Sequence, residues 1–186
     1  MKYFACIRTQ TRLLLLVAGV FVFIGCSNDM EEIQFFDQSD MPVQVVKDSE
    51  IIQSKKGNVQ LRLIASIINV YDGEESKTEY PEGIYLEFFN KDKEVSTSLS
   101  AKYAVSYDSK KIMEARNNVV IIDYDSGDTT YMESLIWDKK EKKIYSDKPL
   151  KSVNGSRVTY GDGFESDENF KNPQIFHQRG TLEWNE

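Results

Sequence analysis

The chain has 186 residues, 28% of them charged and 12% aromatic, with a formal net charge of −7. It is long enough to bury one real core and too rich in aromatics to stay disordered. An acidic chain repels phosphate backbones, which argues against nucleic acid and anionic bilayers as partners.

Residues 1–25 read as an address rather than as fold. Lys2, Arg8 and Arg12 precede the apolar run LLLLVAGVFVFI, which ends at Gly25-Cys26. The run is shorter than the roughly 20 residues a membrane helix needs, and it suits the apolar core of a signal peptide. Gly25-Cys26 resembles the lipobox of bacterial lipoproteins, with Phe23 where that box usually has Leu. We therefore expect cleavage before Cys26 and a lipid anchor on its thiol. Cys6 leaves with the signal, so the mature chain holds no free thiol, disulfide or Cys metal ligand. Residues 26–40, polar and acidic, read as a tether, and residues 41–186 as the periplasmic domain.

Along the domain, MPVQVV, EIIQS and NVQLRLIASIINVY are β-like runs, with Lys56-Gly57-Asn58 a turn. DGEESK is a charged loop and YPEG a turn into IYLEFFN, where Ile84, Leu86 and Phe88 share one face at period two. Val95, Thr97, Leu99, Ala101, Tyr103 and Val105 continue that pattern and predict one half-buried strand. IMEARNNVVIIDY is again strand-like. Val119 and Ile121 compete there with Val120 and Ile122 for the inward face, and we place the former inward. TYMESLIWD adds Leu135 and Trp137. Asn154-Gly155 is a hairpin dipeptide, and Gly161 and Gly163 predict a bulge or close backbone approach. SDENFKNP is the one place for a single helical turn, and QIFHQRGTLEW the last strand or pair. YDSKKI and WDKKEKKI echo one another, as repeated hairpins would. The expected fold is all-β and antiparallel.

A search for chemistry finds no GxSxG, HExxH or phosphate loop. His177, the one histidine, has no partner motif and reads as structural or exposed. Asp123 to Asp128 faintly resembles a calcium loop, but Ser134 stands where the closing Glu belongs, and a hairpin turn explains it better. We therefore expect no enzyme activity, cofactor or metal. The apolar faces remain, read either as a sealed sandwich core or as the lining of a groove for acyl chains.

YPEGIYLEFFN, SLSAKYAVSY, ARNNVVI, ESLIWD, IYSDKPLK and VTYGDGFESDENF, in this order over residues 41–182, resemble the LptC family of lipopolysaccharide-export proteins, in the lipoprotein form of Bacteroidetes-type bacteria. The resemblance implies a twisted open β-jellyroll of roughly 15 antiparallel strands. It implies a periplasmic protein, held at the inner membrane with the outer as the alternative, that accepts lipopolysaccharide from an inner-membrane ABC transporter and passes it to the next jellyroll of a bridge. Leu86, Phe88, Leu99, Val105, Val119, Ile121, Leu135 and Trp137 would line the lipid path. The edge near residues 43–52 would meet the transporter, and the edge near residues 175–184 the bridge protein. Better-known members keep a transmembrane helix where this chain carries its lipobox. The alternative is a structural or carbohydrate-binding β-sandwich lipoprotein.

Overall fold

The computed structural model of the chain describes residues 41–182. The signal peptide, Cys26 and the tether lie outside the described residues. Those described belong to one compact unit, 37–186, and among them no helix is long and apolar enough to cross a membrane.

The described residues form a 14-stranded antiparallel sheet. Its strands are β1 (Gln44–Lys55), β2 (Asn58–Tyr71), β3 (Lys77–Tyr80), β4 (Ile84–Phe89), β5 (Val95–Ala101), β6 (Tyr103–Tyr107) and β7 (Ile112–Asp123). They continue with β8 (Thr129–Asp138), β9 (Lys143–Ser146), β10 (Leu150–Asn154), β11 (Arg157–Gly161), β12 (Phe164–Asp167), β13 (Gln174–Ile175) and β14 (Arg179–Leu182).

The pairing has a simple logic. β1, β2, β7 and β8 are long, while β3 with β4, β5 with β6, β9 with β10, β11 with β12 and β13 with β14 are the two halves of strands of similar reach. Each long strand or half-strand pair bonds to its neighbours in chain order. The result is a meander folded in half along one crease. Layer one holds β4, β5, β10, β11 and β14. Layer two holds β3, β6, β9, β12 and β13. The long strands run through both, as in the open jellyroll expected from the sequence.

Residues able to break a ladder make the crease. Asp48 turns β1 with φ 47°, and Asn117 and Asn118 turn β7 with φ 64° and 58°, in the left-handed region that short polar side chains tolerate best. There the register of β7 with β8 shifts between Arg116 and Val119, a β-bulge. Between β5 and β6, Lys102 donates its N–H to Asn117 O at 3.0 Å. Gly161 has no room for a side chain: a Cβ would stand 2.3 Å from Ile175 Cγ2, the close approach that its sequence context predicts. MPVQVV and EIIQS, two runs in the sequence, form the single bent strand β1.

The opposite margins are two rims of turns. Four of these turns open on an Asn or Asp whose Oδ1 accepts two backbone N–H groups. Asn90 takes Asp92 and Glu94, Asp123 takes Asp125 and Ser126, Asp138 takes Lys140 and Glu141, and Asp167 takes Asn169 and Lys171. Such Asx turns satisfy donors that no strand can reach. They account for the WDKKEKKI turn and for the calcium-like look of Asp123 to Asp128. Neighbouring turns are also joined: Asp108 N donates to Ser76 O, Lys139 N to Lys111 O and Glu168 N to Lys142 O. Asn154 is the last residue of its strand, not a turn residue. It pairs with Arg157 across Gly155-Ser156, and its amide reaches Ser126 O and Asp128 Oδ1 at 3.0 and 2.9 Å.

Candidate functional site

Because side chains alternate across a strand, the register fixes what the inner faces carry. In layer one, Leu63, Leu86, Leu99 and Ile121 stand side by side on β2, β4, β5 and β7. The row then turns to hydroxyls, Thr130 on β8 and Ser152 on β10, which bond to each other at 3.1 Å. In layer two, Met113, Trp137 and Ile144 form the matching row on β7, β8 and β9. Both rows belong to one hydrophobic cluster, against which Trp137 packs.

Of the residues expected to line a lipid path, Leu86, Phe88, Leu99, Val119, Ile121 and Leu135 are all buried in this cluster. The choice of Val119 and Ile121 over Val120 and Ile122 agrees with the burial. Val105 departs from the expected face. It is only 1% exposed but lies outside the cluster, paired with Glu79 on β3 and Glu114 on β7. Its neighbours on β6, Ala104 and Ser106, pair with Ala115 and Met113 and so face inward. The expected single strand is two, separated by the corner at Lys102, which adds one residue to the alternation. Val105 therefore sits on the outer face beneath the Lys77–Glu79 and Arg116–Glu114 ion pairs.

The interior is tightly packed at its centre and looser toward the margins. Ile84, Leu86, Phe88, Leu99 and Trp137 help to enclose a central void of about 20 Å³, room for about one water-sized group. A cavity of about 480 Å³ lies toward β1 and is lined by Ile51, Leu61, Leu63, Tyr80 and Trp137 among others. Two more, of about 920 and 550 Å³, flank Phe170. Trp137 Nε1 and Ser166 Oγ are buried without a hydrogen-bond partner among the described residues, on either side of Ile144 in one cross-strand row. Leaving such a group unpaired costs on the order of 1–3 kcal/mol.

Phe170 is the interior residue that the sequence concealed. SDENFKNP forms the end of β12 and an irregular turn rather than the expected helical turn, yet its one aromatic is 5% exposed and packs edge-on against Phe88, with ring centroids 5.0 Å apart. Phe88 in turn meets Trp137 at 5.9 Å. The only signal was a lone Phe in a polar run. His177 is exposed at the β13–β14 turn with φ 48°. Among the described residues, no group of three or more His, Cys, Asp or Glu is placed to hold a metal ion.

The outer face also buries a charged group. Arg62 donates from Nε to Glu87 Oε2 at 2.6 Å and also reaches Glu50 at 3.5 Å. These partners raise the Arg62 pKa, the Glu87 hydrogen bond most of all. Glu87 is 9% exposed, and a carboxylate so buried needs the partner that Arg62 supplies. At the edge, β1 bonds to β2 alone among the described strands and presents Val45, Ile51 and Ile52 to solvent.

A comparison with curated proteins returns no match. A family model described as lipopolysaccharide-assembly, LptC-related, matches residues 12–182. That span includes every strand of the folded meander. Lipopolysaccharide transport at the periplasmic side of the inner membrane is the work of that family, a non-catalytic role that a sheet with an apolar inner face can serve. The chain belongs to the LptC-related family of lipopolysaccharide-assembly proteins.

Proposed function

We propose that the chain is a lipid-anchored bridge component that accepts lipopolysaccharide from an inner-membrane ABC transporter and passes it to a following jellyroll. Acyl chains lie against the inner rows while the sugars stay in water. The observation that carries this reading is the aliphatic row Leu63, Leu86, Leu99 and Ile121 on the inner face of layer one, with cavities opening toward the margins of the packed centre. Each methylene moved from water to such a face gains about 0.8 kcal/mol. Transfer requires that the lipid leave again, so the driving energy comes from the transporter. Cys26, behind its signal peptide, carries the anchor. The exposed edge of β1, with the preceding Val43, is the surface for the transporter. The short strands β13 and β14 are the surface for the bridge protein. Both contacts would form by strand addition, since an edge offers unpaired N–H and C=O groups.

The packed centre favours a second reading, a closed structural sandwich that binds no lipid. Depletion separates the two. On the transport reading, newly made lipopolysaccharide accumulates at the inner membrane when the protein is withdrawn. Unchanged delivery to the outer membrane would reject that reading in favour of the sandwich.

A further inference from the structure

The 168–173 turn differs from the other turns of its rim. It leaves layer two and reaches across the open side of the fold. Asn169, Phe170 and Lys171 share a cavity of about 920 Å³ with Asn58, Gln60, Asn90, Lys91, Asp125 and Ser126, residues of the layer-one rim or next to it. Phe170 also walls the neighbouring cavity of about 550 Å³. Asn169 and Lys171 are exposed while Phe170 between them is buried, so the turn inserts one ring and leaves its backbone outside. Phe170 does so at φ 56°, a left-handed conformation that is strained for a bulky residue. The Asp167 carboxylate holds the turn, accepting from Asn169 N and Lys171 N at 2.9 and 3.1 Å and from Asn172 Nδ2 at 2.9 Å.

We propose that Phe170 is a plug whose ring holds the place of an acyl chain at the open side of the groove, and that the 168–173 turn swings outward on Asp167 as the chain enters sideways between the two rims. The proposal rests on the lipid-path reading and gives it an entry point. A ring on a short turn satisfies the apolar walls of the two flanking cavities when no lipid is present. Its withdrawal joins the two cavities, which share Phe170 and Asp123 as walls. Its strained backbone lowers the cost of withdrawal. The same ring, returning to Phe88, displaces the chain toward the next acceptor.

Removing a competing group raises apparent affinity by the inverse of the open fraction. The mature chain is titrated with fluorescent lipopolysaccharide beside Phe170→Ala and Asp167→Asn. Phe170→Ala is expected to bind on the order of fivefold tighter, and Asp167→Asn, which loosens the turn but keeps the ring, about twofold tighter. Hydrogen exchange in the unaltered protein gives a second readout: the Asn169 and Lys171 amides exchange faster when the lipid is bound. If the unaltered chain binds but Phe170→Ala binds equally or more weakly, Phe170 is a wall of the site and the plug is rejected while the lipid path stands. Slower exchange of the two amides on loading would reject the plug in the same way. If neither the unaltered chain nor the variants bind, the lipid path itself is wrong and the plug falls with it.

Discussion

At Gly83 the chain passes from layer two to layer one in the turn after Tyr80. Its φ is 91°, and an added Cβ would stand 2.3 Å from Ala101 O. Gly127 in a rim turn has a similar φ of 79° with nothing within 4 Å. Ala at Gly127 therefore meets backbone strain alone, about 1–2 kcal/mol. Ala at Gly83 meets the same strain plus a clash with immovable backbone, which adds a further 1–3 kcal/mol or so. Urea unfolding of the two variants should rank Gly83→Ala clearly below Gly127→Ala; equal midpoints would mean that the crease can shift to make room. At this scale the sequence was legible wherever alternation ran unbroken. Leu86, Phe88 and Leu99 declare themselves by period two, whereas Val105 was misplaced because nothing in SAKYAV marks Lys102 as a corner. Phe170 was invisible because its burial comes from a turn that has no period.

The turns work as elements, and Asp167 shows how one is held. Burial works to raise its pKa, but hydrogen bonds from Lys171 N–H, Asn169 N–H and the Asn172 amide outweigh that and bring it below the usual carboxylate range. A folded value below the unfolded one means that the turn's stabilisation is complete above the ordinary Asp pKa of about 3.9 and is lost as pH falls through the folded value. Lys171 favours the charged form as well. Acid should therefore release the 168–173 turn before the sheet, read as movement of the Asn169 and Lys171 amide resonances while those of β7 stay fixed. The Asp167→Asn variant should lose that local transition. A transition shared by turn and sheet would show that Asp167 is not what holds the turn. Turn positions were read well from Asp, Asn, Gly and Lys clusters because Asx chemistry is local. The bend of β7 was not, because ARNN also fits a regular strand and only its pairing with β8 makes Asn117 and Asn118 a bulge.

At the scale of the molecule, a meander of hairpins creased once gives an apolar inside and exposed edges at β1 and at β13 and β14. Antiparallel order and strand spacing were readable from composition and turns. That the strands fold in half along a common line was not, since the crease is marked by different residues in each strand: Asp48, Gly83, Lys102 and the Asn117-Asn118 pair. The central claim is that lipid travels along the inner face. It is tested most directly on β5, where successive residues point to opposite sides. Thr97 and Leu99 face inward, and Ser98 and Ser100 stand on the outer side, where Ser98 Oγ meets Tyr124 OH at 3.2 Å. A photocrosslinking amino acid is placed at each of the four positions in living cells. Adducts with lipopolysaccharide should form from positions 97 and 99 and not from 98 and 100; adducts from 98 and 100, or from none of the four, would contradict a lipid path between the layers.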